Sequence, residues 1–288
     1  MPSIVAPIAQ PSSGWWIASI GAVAFVIALP IILILIARAR LKVGWRYAGY
    51  GALIFFTFQL ITRVPAVEAL QYFLAPQLKA SKPLLIAFLV FLALTAALFE
   101  EIGRYLGYRW FMGHEEKTWA KGVMYGLGHG GLESMVLVGG LAALQLTNVW
   151  LLSSTNLGIA PAAQRATAAA QLAAIAAQPG WLPLLAGWER ICAITAHVML
   201  SLIVLQVFRR GSLRWLWLAI GLHFLLDGVT VLLPQFVHLG GIGDTLLVES
   251  YVTLFAIGAL WAIFALRDQP TPTAPPVAAE AALREGAA

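Results

Sequence analysis

Charge is scarce in this chain. Among its 288 residues are 18 Lys or Arg and 13 Asp or Glu, so 11% carry a formal charge, where soluble domains carry about 25%. With 60% hydrophobic residues, a soluble fold of this length could not cover its surface with polar groups. Cysteine is nearly absent: Cys192 stands alone, which excludes a disulfide framework. Intrinsic disorder needs low hydrophobicity, so it is excluded for the body of the chain. Several motifs are also missing. There is no H-E-x-x-H, no G-x-S-x-G and no Walker A sequence, which removes support for serine, cysteine and ATP-driven chemistry. What remains is a polytopic membrane protein.

A helix needs about 20 apolar residues to cross the hydrocarbon core. Seven runs qualify: about 15–37, 47–75 (interrupted by Arg63 and Pro65), 84–112, 119–147, 183–208, 215–233 and 246–266. The expected fold is therefore an all-α bundle of seven transmembrane helices. The first run is too long for a signal-peptide core and its basic residues follow it, so it reads as a retained anchor. Arg38, Arg40, Lys42 and Arg46 follow the first run, and Arg109, Lys117 and Lys121 follow the third. Arg209, Arg210 and Arg214 follow the fifth, and Arg267 and Arg284 the seventh. The opposite loops hold only Lys79, Lys82 and Arg165. Basic loops stay in the cytoplasm, so the N-terminus is expected outside and the C-terminus inside, in a bacterial plasma membrane. The net charge of +5 is then a topology signal. It does not predict nucleic-acid binding, because the basic residues are dispersed over short loops. Residues 1–14 form an N-terminal segment and 15–267 the membrane domain. Residues 148–182 read as an external loop with an Ala-rich helix, either a rim element or a lid over the site. Residues 268–288, with four prolines, read as a disordered cytoplasmic tail.

Several ionisable residues fall within the apolar runs: Glu100, Glu101 and Arg104, then His129 and Glu133, then Glu189, Arg190 and His197, then His223 and Asp227. A charge at a helix centre costs about 2.5–3.5 kcal/mol on insertion scales, so seven isolated ones would cost roughly 15–25 kcal/mol. That exceeds most folding stabilities of about 5–15 kcal/mol. These groups must be paired, hydrated or bound to metal. The spacing puts Glu100 with Arg104, His129 with Glu133, and His223 with Asp227 four residues apart, each on one helix face. Arg190 can pair with Glu189, and shares a face with His197. Arg63 and Glu68 straddle Pro65 and either pair or line an outer vestibule. Glu249, near an outer helix end, reads as hydrated, and His114 and His238 as surface residues.

Carboxylates and imidazoles in a membrane cavity support three chemistries. One is hydrolysis by a glutamate-activated water with His or Arg stabilising the oxyanion. Another is metal-assisted hydrolysis, in which His and carboxylate groups hold Zn²⁺. The third is proton or ion conduction. Three histidines and several carboxylates exceed what a four-coordinate zinc needs, leaving a metal site with outer partners and a metal-free glutamate site both open.

In order, F-E-E-x-x-R-Y (Phe99 to Tyr105), M-Y-G-x-G-H-G-G-x-E (Met124 to Glu133), Glu189-Arg190, Ala196-His197 with Leu200-Ser201, and His223-x-x-x-Asp227 resemble the YhfC-type membrane peptidase family. The resemblance covers about residues 10–267 and extends more distantly to the CAAX protease and bacteriocin-processing group and to PrsW-type proteases. It departs from the CAAX pattern in the Glu101–Arg104 spacing and in carrying Asp227 where an amide is common. It implies an intramembrane endopeptidase acting on membrane-embedded proteins or peptides, glutamate-dependent or Zn²⁺-dependent. One of Glu100 and Glu101 is then the general base. Arg104 is the motif's basic residue, and His129, His197 and His223 are ligands or oxyanion stabilisers. Glu133 and Asp227 are their carboxylate partners, and Glu189 and Arg190 support them. Because Glu100, Glu101 and Arg104 fall late in an inward-running helix, the cavity is expected to open toward the cytoplasmic half. The rival functions are a proton-coupled transporter or channel, and a non-catalytic protein that keeps the fold.

Overall fold

A computed structural model describes residues 9–154 and 161–267; the proline-rich tail expected at 268–288 lies outside them. Among the described residues every regular element is helical: α1 (Ser13–Leu41), α2 (Arg46–Phe55), α3 (Val64–Ala80), α4 (Lys82–Phe111), α5 (Trp119–Leu132), α6 (Gly140–Ser154), α7 (Ala162–Ala176), α8 (Leu184–Arg210), α9 (Arg214–Phe236) and α10 (Ile242–Ala265). The segments Phe56–Arg63 and Glu133–Gly139 are π-helical and join α2 to α3 and α5 to α6. Among the described residues seven helical stretches are long and apolar enough to cross a membrane, and the protein is an integral membrane protein. Arg63 and Pro65 do not break the second stretch, which runs from Arg46 to Ala80. The fourth runs on to Ser154, so the expected loop at 148–182 begins later than its polarity suggested.

Local chemistry sets the helix ends. Ser12, Ser81 and Thr118 each accept a hydrogen bond from the backbone N–H three residues on, which satisfies an otherwise orphaned donor. Gly211 ends α8 in the left-handed region at φ 65°, the conformation glycine adopts without steric cost. The basic loops meet at one end of the bundle. There Glu115 binds Arg46 at 2.9 Å, the Tyr47 hydroxyl at 2.6 Å and Lys121 at 3.4 Å. The Tyr47 hydrogen bond and the Arg46 charge hold the Glu115 carboxyl below its ordinary value. Arg267 lies over the Trp119 ring and Lys117 over Phe208.

α8 is the central helix. From Ile194 to Val207 nearly every residue is buried, which is what an all-round apolar helix requires. α1, α4, α5, α9 and α10 pack around it. α5 is wedged between α8 and α2 by its glycines. Gly126 and Gly130 face the α8 backbone at Val198 and the His197 side chain, while Gly128, about 200° round from Gly126, faces the Ala48 carbonyl of α2. Gly51 of α2 meets Tyr125 and His129 in return. Small residues permit this approach in a membrane. α7 packs at a corner made by Trp15, Val149 and Leu172, as a rim element would. No α7 residue borders the central cavity, so the lid expectation finds no contact there.

A methyl group on Gly128 would overlap the α2 backbone, which cannot step aside as a flexible side chain could. Gly128→Ala should therefore cost about 3 kcal/mol or more. Gly140→Ala, with open space around it, should be neutral or stabilising by up to about 1 kcal/mol. Thermal unfolding in detergent would show the contrast.

Candidate metal centre and its cavity

α4 supplies Glu100, Glu101 and Arg104, all buried. Glu100 Oε1 accepts a hydrogen bond from Gln59 Nε2 at 2.5 Å. Its other oxygen, Oε2, lies 2.9 Å from His129 Nε2, 3.8 Å from His197 Nδ1 and 4.0 Å from His223 Nε2. One carboxylate oxygen thus stands among imidazole nitrogens from α5, α8 and α9. His129 Nδ1 is enclosed without a hydrogen-bond partner, so the polar bonding of that ring is directed to Glu100.

Glu101 is bound differently. Its oxygens meet Arg104 Nε at 3.0 Å and His223 Nδ1 at 2.8 Å. Arg104 is fully enclosed. It donates to the His197 carbonyl at 3.1 Å, to Ser201 Oγ at 2.6 Å and to Glu101 at 3.2 Å, and approaches His197 Nδ1 at 3.2 Å. The partners assign the His197 tautomer, because a guanidinium only donates and a carboxylate only accepts. His197 Nδ1 accepts from Arg104, and its Nε2 lies 2.5 Å from Glu133. His223 Nδ1 donates to Glu101, which leaves Nε2 facing Asp227 at 3.5 Å and Glu100.

Of the i,i+4 pairs expected from spacing, His223–Asp227 forms at 3.5 Å and Glu100–Arg104 at 3.8 Å, whereas His129–Glu133 is replaced by contacts between helices. Arg104 bonds chiefly to Glu101, three residues away, and is 3.8 Å from Glu100. Glu133 opens a π-helical segment and meets His197 and Arg190, at 2.9 Å, rather than His129. The Glu189–Arg190 pair forms at 2.5 Å. Arg63 pairs with Gln59 at 3.2 Å and with the Leu92 carbonyl, while Glu68 is exposed. Glu249 is partly buried, with one carboxylate oxygen enclosed. His114 and His238 are exposed. Gln59 is the residue the sequence did not single out. Its only signal was a polar side chain one helical turn before Arg63.

The cavity beside this cluster is about 280 Å³. Glu100, Glu133, Glu189, Arg190, His197, His223 and Asp227 are on its wall, whereas Glu101, Arg104 and His129 stand behind it. It does not open where expected. On α4 its wall continues from Glu100 back to Leu92, and on α9 from His223 on to Val231, both away from the basic loops. At the basic side Tyr108 stacks on Tyr125 at 4.4 Å and donates to the Ser201 carbonyl, and Met112 and Met124 are buried. Position along α4 was misleading because it does not say on which side the neighbouring helices fill the space.

Glu100, His129 and His197 can each offer a ligand atom, all within 4.8 Å of one another. Tetrahedral zinc with bonds of about 2.0–2.1 Å sets its ligands roughly 3.4 Å apart, and the 2.9 and 3.8 Å separations bracket that distance. The charge around the cluster also fits a cation. Glu100, Glu101, Glu133, Glu189 and Asp227 outnumber Arg63, Arg104 and Arg190. The donor set suits a metal, provided Arg104 releases His197 Nδ1.

The family described as YhfC intramembrane metalloprotease matches residues 25–252. A Bacillus subtilis (strain 168) protein described as "Uncharacterized membrane protein YhfC" is 33% identical over 253 residues, covering 86% of this chain and 94% of its own length. No solved structure matches.

Breaking a buried ion pair leaves an uncompensated charge, at about 3–5 kcal/mol. Arg104→Met should thus unfold the protein at a much lower temperature. Asp227→Asn, whose side chain is 34% exposed, should cost under about 1 kcal/mol. Melting curves of the two variants in one detergent would separate them.

Proposed function

The chain belongs to the YhfC intramembrane metalloprotease family, and from that premise we propose that it hydrolyses peptide bonds of membrane-associated proteins or peptides inside the bilayer. The observation that carries the reading is the Glu100 carboxylate, ringed by three imidazoles at the wall of a cavity. Glu100, His129 and His197 would hold a Zn²⁺ ion. Zinc bound there would polarise the scissile carbonyl and acidify water. The remaining tasks fall to this chain's side chains. His223 Nε2 faces the cavity between the carboxylates of Asp227 and Glu100, while Nδ1 donates to Glu101. With Asp227 on the same wall it forms a pair in which the carboxylate takes the proton of the attacking water and the imidazolium gives one to the leaving amine. Glu101 and Asp227 flank the ring and stabilise its protonated form, as the acidic member of a triad does. Glu133, braced by Arg190, orients His197. Arg104 fixes Glu101 and the α8 backbone.

A metal-free variant of the same reaction is favoured by one observation, the guanidinium of Arg104 already 3.2 Å from His197 Nδ1. In that variant Glu100 takes the proton from water and the imidazoles stabilise the oxyanion. Transport is less well supported. A conduction path needs polar groups through the whole span, and the basic side of the cluster is filled by Tyr108, Tyr125, Met112 and Met124.

Purified protein should carry about one Zn²⁺ per chain. Less than about a tenth, with activity indifferent to chelators, would leave only the metal-free variant. In a cleavage assay on a pool of membrane-anchored substrates, Glu100→Gln, His129→Ala and His223→Ala should each lose about 10²-fold or more. Equal processing by wild type and all three, at equal folded amounts, would end the peptidase reading.

A further inference from the structure

The cavity defines a side of entry. Five helical segments carry cluster residues on its wall. Phe55, one turn before Gln59 and packed on the His129 ring, lines it level with the cluster. From there the wall runs from Gln59 to Arg63, from Glu133 to Leu137, from Glu100 back to Leu92, from His197 back to Glu189 and from His223 on to Val231. All five directions lead away from the end where Arg46, Glu115 and Lys121 gather. Toward that end the stacked Tyr108 and Tyr125 rings and the tightly apposed α2 and α5 backbones close the bundle. At the other end Glu189 lies five residues from the start of α8, and Val231 five residues from the end of α9. At 1.5 Å per residue, the cavity comes within roughly 8 Å of those helix ends. The Glu189 and Asp227 side chains are 40% and 34% exposed, as hydrated groups at a mouth would be.

The basic loops mark the cytoplasmic end by the positive-inside rule. We propose that the Glu100 cluster is served from the extracytoplasmic face, so that the substrates are proteins or peptides whose scissile bond is presented from the outer half of the membrane. The substrate part rests on the peptidase reading above, whereas the side of entry does not.

The test uses the full-length protein in right-side-out and inverted membrane vesicles, probed with a cationic methanethiosulfonate reagent. In a Cys192→Ala background, Thr230→Cys places a thiol on the cavity wall, and His114→Cys places one in a basic loop. A fixed positive charge crosses the hydrocarbon core poorly, so Thr230→Cys should react roughly tenfold or more faster in right-side-out vesicles, and His114→Cys in inverted ones. Reaction of Thr230→Cys chiefly in inverted vesicles overturns the proposal. So does a thiol that reacts in neither preparation but does react once unfolded in detergent. If Thr230→Cys reacts from outside while no membrane-anchored substrate is ever cleaved, the peptidase reading fails and the entry side stands.

Discussion

The fully enclosed guanidinium of Arg104 is the constraint on which the site depends. Its donors reach Glu101, the His197 carbonyl and Ser201, so one side chain ties α4 to α8. Removing a guanidinium from water costs several kcal/mol, and that cost is offset only while every partner stays in place. Glu101 in turn orients the His223 ring, and the α8 backbone that Arg104 holds carries His197. Glu100, the neighbouring residue, is thereby left free to face the imidazoles. The two adjacent glutamates divide their labour by environment: one is saturated by an arginine, the other borders a cavity.

Glycine spacing on α5 does the complementary work. With Gly126 and Gly130 against α8 and Gly128 against α2, the backbone is clamped on opposite sides and His129 is set between. Beyond the clamp both α2 and α5 pass into π-helical segments. Such widened turns re-aim side chains and recur at functional sites. Here they aim Gln59 at Glu100 and Glu133 at His197 and Arg190. Had α5 stayed regular, Glu133 would share the face of His129.

Much of this was legible in the sequence. A run of about 20 apolar residues has few alternatives to a membrane helix, so all seven stretches were readable, as was the chemical type of nearly every residue in the cluster. The pairings were legible in part: Glu100–Arg104, Glu189–Arg190 and His223–Asp227 form as their spacing allows. Spacing reports neighbours within a helix, while burial selects the best partner in the whole bundle, so Glu133 settled on His197 and Arg190 rather than on His129. A neutral amide such as Gln59 carries no insertion penalty large enough to draw notice. The direction of the cavity depends on how bulky residues from different helices fill the space, and no single segment encodes that.

The burial of Glu100 has a consequence for what can reach it. Its carboxylate is set into the cavity wall among three imidazoles, whereas a helix sheathes its backbone in side chains to a width of about 10–12 Å. A helical segment must therefore uncoil before its backbone meets the carboxylate, giving up hydrogen bonds that the bilayer cannot replace. Chains rich in glycine or proline relinquish those bonds with least loss. The bundle thus acts as a sieve for local helix strength, sorting segments by how readily they unravel.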